Sequence, residues 1–234
     1  MRVFAISDLH LALAADKPMD IFGPGWEGYM QRLRQNWNLI VTDEDLVLIP
    51  GDLSWATYLD MAGPDFHFIE ELPGRKIISK GNHDYWWATH KKLNMFLERE
   101  TLSSISFLQN NIFFYDNFAV AGSRGWKNPE DDGFTNDDEK IYDRELERLK
   151  LSLKHAEGFQ GIIICMLHYP PFNAKGSPGE FIELMKSYGV SVCVYGHLHG
   201  KRCALAVEGE YDGIRYHLVS SDYLNFVPLF LGEW

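Results

Sequence analysis

Short apolar runs bounded by polar or glycine-rich text recur along the chain, at residues 3–6, 46–49, 77–79, 162–167 and 190–195. None alternates cleanly between apolar and polar, which is the pattern of strands buried on both faces in a parallel sheet. Between the first two runs, Trp26, Tyr29, Met30, Leu33, Trp37 and Ile40 recur every three or four residues. That spacing predicts an amphipathic helix over 26–40 and hence a β-α-β unit. Residues 58–70 and 87–99 suit the same role, the former with Leu59, Ala62, Phe66 and Ile69 on one face. The period then changes. Runs at 107–108, 112–115 and 118–121 are separated by Gln109-Asn110-Asn111 and Asp116-Asn117, which predicts an antiparallel meander. After a loop over 123–136, Tyr142, Leu146, Leu149, Leu153 and Ala156 form one stripe and predict a long helix over 137–157, stopped at Gly158. Strand-like text resumes from Arg202, at Leu205 and Val207 and again at Ile214, Tyr216 and Leu218.

Length bounds this alternation of strand and helix. At 234 residues the chain falls below the ~250–300 at which single cores stop growing, so one domain over 1–234 is expected. A 46% hydrophobic composition excludes disorder, and the longest wholly apolar run, 162–167, is far short of the ~20 residues of a membrane span. Three cysteines, Cys165, Cys193 and Cys203, cannot all pair within one chain and read as reduced residues of a cytoplasmic protein. Acidic residues outnumber basic ones by 33 to 22, a net charge of −11, which disfavours nucleic acid as a partner. The segment 224–231, rich in Phe and Leu around Pro228, reads as a packed closing segment, with a homo-oligomer surface as the alternative.

Chemistry is concentrated where the five apolar runs end: Asp8-Leu9-His10, Gly51-Asp52, Gly81-Asn82-His83-Asp84, His168, and Gly196-His197-Leu198-His199. The carboxyl ends of neighbouring parallel strands open onto one edge, so these side chains are expected to converge. Carboxylates, a carboxamide and imidazoles without a thiolate suit borderline divalent ions: manganese first, with iron, zinc, cobalt or nickel as alternatives. Asp8, His10, Asp52, Asn82, His168, His197 and His199 are more ligands than one ion takes comfortably, whereas two ions sharing a bridging carboxylate can use them and keep a position for water.

In their order, D-x-H, G-D, G-N-H-D, H and G-H-x-H, these blocks resemble the calcineurin-like metallophosphoesterases, and the text around Asp52 and His83 resembles a bacterial subgroup of them. The resemblance implies a four-layer α/β/β/α sandwich with two mixed β-sheets. It assigns one metal to Asp8, His10, Asp52 and His199 and a second to Asp52, Asn82, His168 and His197, with Asp52 bridging. It makes His83 the catalytic histidine, with Asp84 or another carboxylate expected to orient its ring. Two cations would neutralise a phosphoester and turn a bridging water into a hydroxide nucleophile, while His83 protonates the leaving oxygen. Asn82, His83 and Arg124, the last opening the 123–136 loop, are the expected substrate contacts, and Tyr85, Trp86 and Trp87 offer either an aromatic wall or core. The chain departs from the serine/threonine phosphatases of that superfamily, which carry an arginine soon after the bridging aspartate where this sequence has Ser54-Trp55-Ala56. The expected reaction is therefore hydrolysis of a small phosphomonoester or phosphodiester. A nucleic-acid phosphodiesterase and a catalytically silent binding scaffold of the same fold are the alternatives.

Overall fold

The computed structural model describes residues 1–234. Its first half builds one sheet: β1 (Arg2–Ala5), β2 (Leu46–Pro50), β3 (Arg75–Ser79) and β4 (Ile105–Phe107) lie parallel in that order. The crossovers are α1 (Tyr29–Ile40), α2 (Gly63–Glu70) and α3 (His90–Glu100). The second sheet starts with the hairpin β5 (Phe113–Phe114) and β6 (Phe118–Gly122). It continues in parallel through β7 (Ile162–Leu167), β8 (Val192–Tyr195) and β10 (Ile214–Leu218), with β9 (Gly209–Tyr211) antiparallel on its edge. Helices α4 (Asn136–Lys154) and α5 (Glu180–Ser187) make its crossovers. The chain closes with β11 (Leu229–Glu233), antiparallel to β1.

Alternate residues of the inner strands serve two different cores, as the two-residue period of a strand requires. Val3, Ala5, Leu46 and Leu48 of the first sheet meet Ile164, Met166, Val192 and Val194 of the second in a core between the sheets. Phe4, Val47 and Ile49 face the other way and pack with Leu33, Trp37, Phe66 and Phe96 of the helices. Ile163, Cys165, Cys193 and Tyr195 do the same against Leu149, Leu153, Phe181 and Met185. Two mixed sheets packed face to face with helices outside make four layers, as expected. No helix is long and apolar enough to cross a membrane.

Several boundaries differ from the sequence reading for identifiable reasons. There is no three-stranded meander: residues 105–107 pair in parallel with β3 in the first sheet, and of the three runs only β5 and β6 pair antiparallel with each other. The first helix starts at Tyr29 because Gly23, Pro24, Gly25 and Gly28 break the preceding segment into short 3₁₀ turns at Met19–Phe22 and Pro24–Trp26. The second starts at Gly63-Pro64, where proline suits a first helical turn. Thr135 begins α4 with a reciprocal pair of hydrogen bonds to Asp138. Leu205 closes a 3₁₀ turn rather than lying in a strand, and α5 lay unrecognised in the sequence.

Candidate metal centre

The five motif strands are divided between the sheets, and the site lies where both sets of carboxyl ends meet. The first sheet supplies Asp8 and His10 after β1, Asp52 after β2, and Asn82 and His83 after β3; the second supplies His168 after β7 and His197 and His199 after β8. The loops are held tightly: Asp8 N–H donates to Gly51 O at 3.0 Å, and His10 N–H to Asp52 O at 3.0 Å. Asp8, His10, Asp52 and His197 all have positive φ, at 57°, 46°, 52° and 71°. Such non-glycine backbone costs about 1–3 kcal/mol per residue and persists where surrounding structure over-determines it. Close approach explains two of the motif glycines. A Cβ on Gly81 would strike the Asp52 carboxylate and backbone nitrogen, and one on Gly196 would strike the Asp8 carboxylate and the Ser7 hydroxyl.

The side chains form one connected cluster. Asp52 Oδ2 lies 3.5 Å from His168 Nε2 and 3.8 Å from His10 Nε2, and Asp8 Oδ1 lies 3.2 Å from His199 Nε2. Asn82 Oδ1 is 2.7 Å from His168 Nε2 and 2.8 Å from His197 Nδ1. Donor atoms of Asp8, His10 and His199 lie within 4.8 Å of one another, and so do those of Asp8, Asp52 and His168. Asp8 thus sits beside both groups, a more central place than the resemblance gives it, while Asp52 reaches histidines from both sheets.

The donor set fits divalent cations. His10 is only 4% exposed, yet its Nδ1 has no hydrogen-bond partner and its Nε2 faces only the distant Asp52 oxygen. Burial pushes His10 and His197 down to about 3 and His168 to about 4, so these rings are neutral and carry lone pairs. Burial also raises Asp52 well above the usual carboxylate range, and the neighbouring Asp84 and Asp8 charges add to the rise. Burial opposes charge on His199, but Asp8 and Asp222 outweigh it and hold that ring up at about 10. Neutral imidazoles around crowded buried carboxylates form a site that positive charge relieves.

His83 is half-buried with its ring 4.6 Å from that of Trp55 and 5.6 Å from that of His10, and burial lowers its pKa. Its backbone N–H donates to Asp52 Oδ1 at 2.7 Å, and its Nδ1 lies 3.4 Å from Tyr85 Oη. Two expectations are corrected. Asp84 does not orient the His83 ring: it is fully buried and accepts the backbone N–H groups of Asp52, Leu53, Ser54 and Gly81, so it ties the β2 and β3 loops together. Arg124 does not reach into the cluster either. Its guanidinium donates to Glu145 Oε1 at 3.1 Å and lies 4.4 Å from the Trp126 ring centre. Trp86, 2% exposed, packs on Phe66 as core, Trp87 is half-buried, and Tyr85 is open to solvent.

Asp222, Ser220 and Ser221 escaped the sequence reading. Asp222 Oδ1 is 2.9 Å from His199 Nδ1, Ser220 Oγ donates to Asp8 Oδ2 at 3.2 Å, and Ser221 Oγ donates to Asp8 O at 2.7 Å. They follow β10, so the signal used elsewhere, polar residues closing a strand, was present at 220–222. A cavity of about 340 Å³ opens from His10, His83 and His199 toward Met19, Phe22, Trp26 and Trp55.

A family model described as calcineurin-like phosphoesterase matches residues 1–201. Among solved structures, the chain is similar to a phosphopantetheinyl hydrolase from Mycobacterium tuberculosis (14% identity, TM-score 0.57, covering 94% of this chain and 88% of that one). It is similar also to a protein of unknown function from Aquifex aeolicus (18%, 0.53, 98% and 95%). A third is the anchor of the inner membrane complex of Plasmodium (13%, 0.54, 95% and 72%). At these identities the likeness is one of fold. No curated protein matches.

Proposed function

The chain belongs to the calcineurin-like phosphoesterase family, and from that premise we propose that it is a dinuclear metal-dependent hydrolase of small phosphomonoesters or phosphodiesters. One observation carries the reading: seven side chains of metal-binding type, drawn from five strand ends in two sheets, form a single cluster with Asp8, His10, Asp52 and His168 buried at its centre. Asp8, His10, Asp52 and His199 would hold one ion and Asp52, Asn82, His168 and His197 the other; mixed imidazole and carboxylate ligands suit borderline divalent ions, of which manganese is the one we propose. Bound there, divalent cations supply Lewis-acid neutralisation of the ester and activation of water.

The chain's own residues do the rest. Asp84 fixes the loops that aim Asp52 and Asn82, and Asp222, Ser220 and Ser221 fix His199 and Asp8. Such outer partners hold ligand orientation. His83, half-buried with its ring 5.6 Å from that of His10, would give a proton to the departing oxygen. A fold shared with both a hydrolase and a membrane-complex anchor does not by itself select an activity, so the reading rests on the site. The intact ligand set favours hydrolysis over a silent scaffold.

Elemental analysis after reconstitution with manganese, followed by a panel of phosphomonoesters, phosphodiesters and pyrophosphates, tests this. Two equivalents of metal and turnover of a small monoester or diester are expected. A metal-replete protein holding a single ion, with Asn82 and His168 not ligating, would overturn the dinuclear assignment. Full loading with no turnover anywhere on the panel would overturn the hydrolase.

A further inference from the structure

The two sides of the metal cluster differ in chemistry. Beside His197 lies a small cavity of about 70 Å³ whose lining includes Lys127, Asn128, Asn173 and Arg202. On the opposite side, against His10, His83 and His199, the cavity of about 340 Å³ falls within the usual size range of small-molecule sites, roughly 300–1,000 Å³. Its outer wall is Met19, Phe22, Trp26 and Trp55. Few polar groups of that wall are free: Trp26 Nε1–H has no partner, and Lys17 Nζ lies 4.2 Å over the Trp55 ring. Trp55 Nε1–H donates to Met19 Sδ at 3.1 Å, and the Asp222 oxygens are taken by His199 Nδ1 and Gly200 N–H. Phe22 is 59% exposed and the adjoining Ile21 70% exposed, two large apolar side chains at the rim of a site otherwise built for anions. A hydroxyl-rich group entering here would lose water and find few partners, whereas an apolar ring would gain from leaving water.

We propose that this cavity is the leaving-group pocket and that it selects phosphoesters of apolar, ring-bearing alcohols over those of polyhydroxylated ones. The proposal rests on the hydrolase reading for one step: His83, assigned the leaving oxygen's proton, lines this cavity and not the one beside His197. Hydrolysis transfers the phosphoryl group to water, breaks the bond from phosphorus to the ester oxygen and releases the alcohol, protonated, into the apolar cavity.

Two measurements separate the pocket from the reaction. The first needs neither metal nor turnover: 4-(trifluoromethyl)benzyl alcohol, the product such a substrate would leave, is titrated with the protein and followed by fluorine NMR. Saturable binding is expected, not displaced by glycerol and weakened about 5-fold or more by Phe22→Ser, a change at an exposed side chain. The second compares kcat/KM of the manganese-loaded protein on 4-(trifluoromethyl)benzyl phosphate and glycerol 3-phosphate, both esters of alkyl alcohols. A preference of at least ~10-fold for the benzyl ester is expected, with the ratio falling in Phe22→Ser. Turnover of both esters without preference, or a ratio unmoved by Phe22→Ser, would overturn the pocket and leave the hydrolase standing. Phe22-dependent alcohol binding without turnover of any ester would sink the hydrolase and leave the apolar selectivity. Failure of the alcohol to bind saturably would overturn the pocket in either case.

Discussion

His83 and Arg124 show how a side chain's role follows from what already holds it. His83 has no carboxylate on its ring; its neighbours are the rings of Trp55, His10 and Tyr85. It is therefore free to exchange a proton, and His83→Ala should lower turnover by about 10²–10⁴-fold while metal content stays unchanged. Because nitrophenolate leaves with little help, an aryl ester should lose less than an alkyl ester in this variant. Equal losses on both would assign His83 to phosphate positioning instead. Arg124 is the reverse case, since its guanidinium neutralises Glu145, whose side chain is 3% exposed and whose further cations are Arg148, at 3.4 Å, and the more distant Lys80. Arg124→Ala should appear as lost stability of ~3 kcal/mol in urea unfolding, because it leaves a buried charge poorly paired, with KM near the wild-type value. A raised KM at unchanged stability would restore Arg124 as a substrate contact.

At the scale of elements, the site depends on loops that leave parallel strands and bend at once, and Asp84 is the brace between two of them. Its four N–H donors come from residues 52, 53, 54 and 81, so Asp84→Ala would orphan buried donors in both the β2 and β3 loops. A loss of at least ~2 kcal/mol in stability is expected, together with lower metal occupancy by elemental analysis. Full occupancy with only a slower rate would return Asp84 to a role on the His83 ring. The sequence made the ligand blocks legible because metal binding demands a few residue types and strands of a parallel sheet end on one edge. It hid Asp84's role, because a carboxylate that braces backbone and one that orients a ring look alike next to a histidine. It also hid the partner of Arg124, which lies 21 residues away on α4, a pairing no local pattern encodes. The run at 107–108, read as the start of a meander, instead ends a strand at 105–107 parallel to β3 for a related reason: apolar runs separated by turn residues read alike whether the chain folds back or crosses to another layer. The layer count came from the resemblance, since alternation alone does not say that the five motif strands divide three and two between sheets.

For the whole molecule the balance of charge decides which phosphoesters can approach. The chain carries a net −11, and two divalent ions would offset only four of those charges, all at one place. A compact anion meets the local positive field of the loaded centre, while a polymer lying across the surface meets acidic residues over most of its length. Of the cations around the cluster, Lys127 Nζ lies 2.8 Å from Asp138 and Arg124 is held by Glu145, whereas Arg202 beside His197 and Lys17 over the Trp55 ring have no carboxylate partner. A nuclease with a basic track loses affinity steeply as salt rises, because each neutralised phosphate releases counterions. Here the opposite sign is expected. Raising salt from about 50 to 300 mM should leave unchanged or increase kcat/KM on a single-stranded oligonucleotide, by screening repulsion, while kcat/KM on a small phosphoester falls modestly as the attraction of the centre is screened. At every salt concentration the small ester should be the better substrate. A steep fall of oligonucleotide cleavage with salt, with kcat/KM above that of every small ester at the low end, would mean that a basic track exists despite the net charge, and Arg202 and Lys127 beside His197 would be the place to look for it.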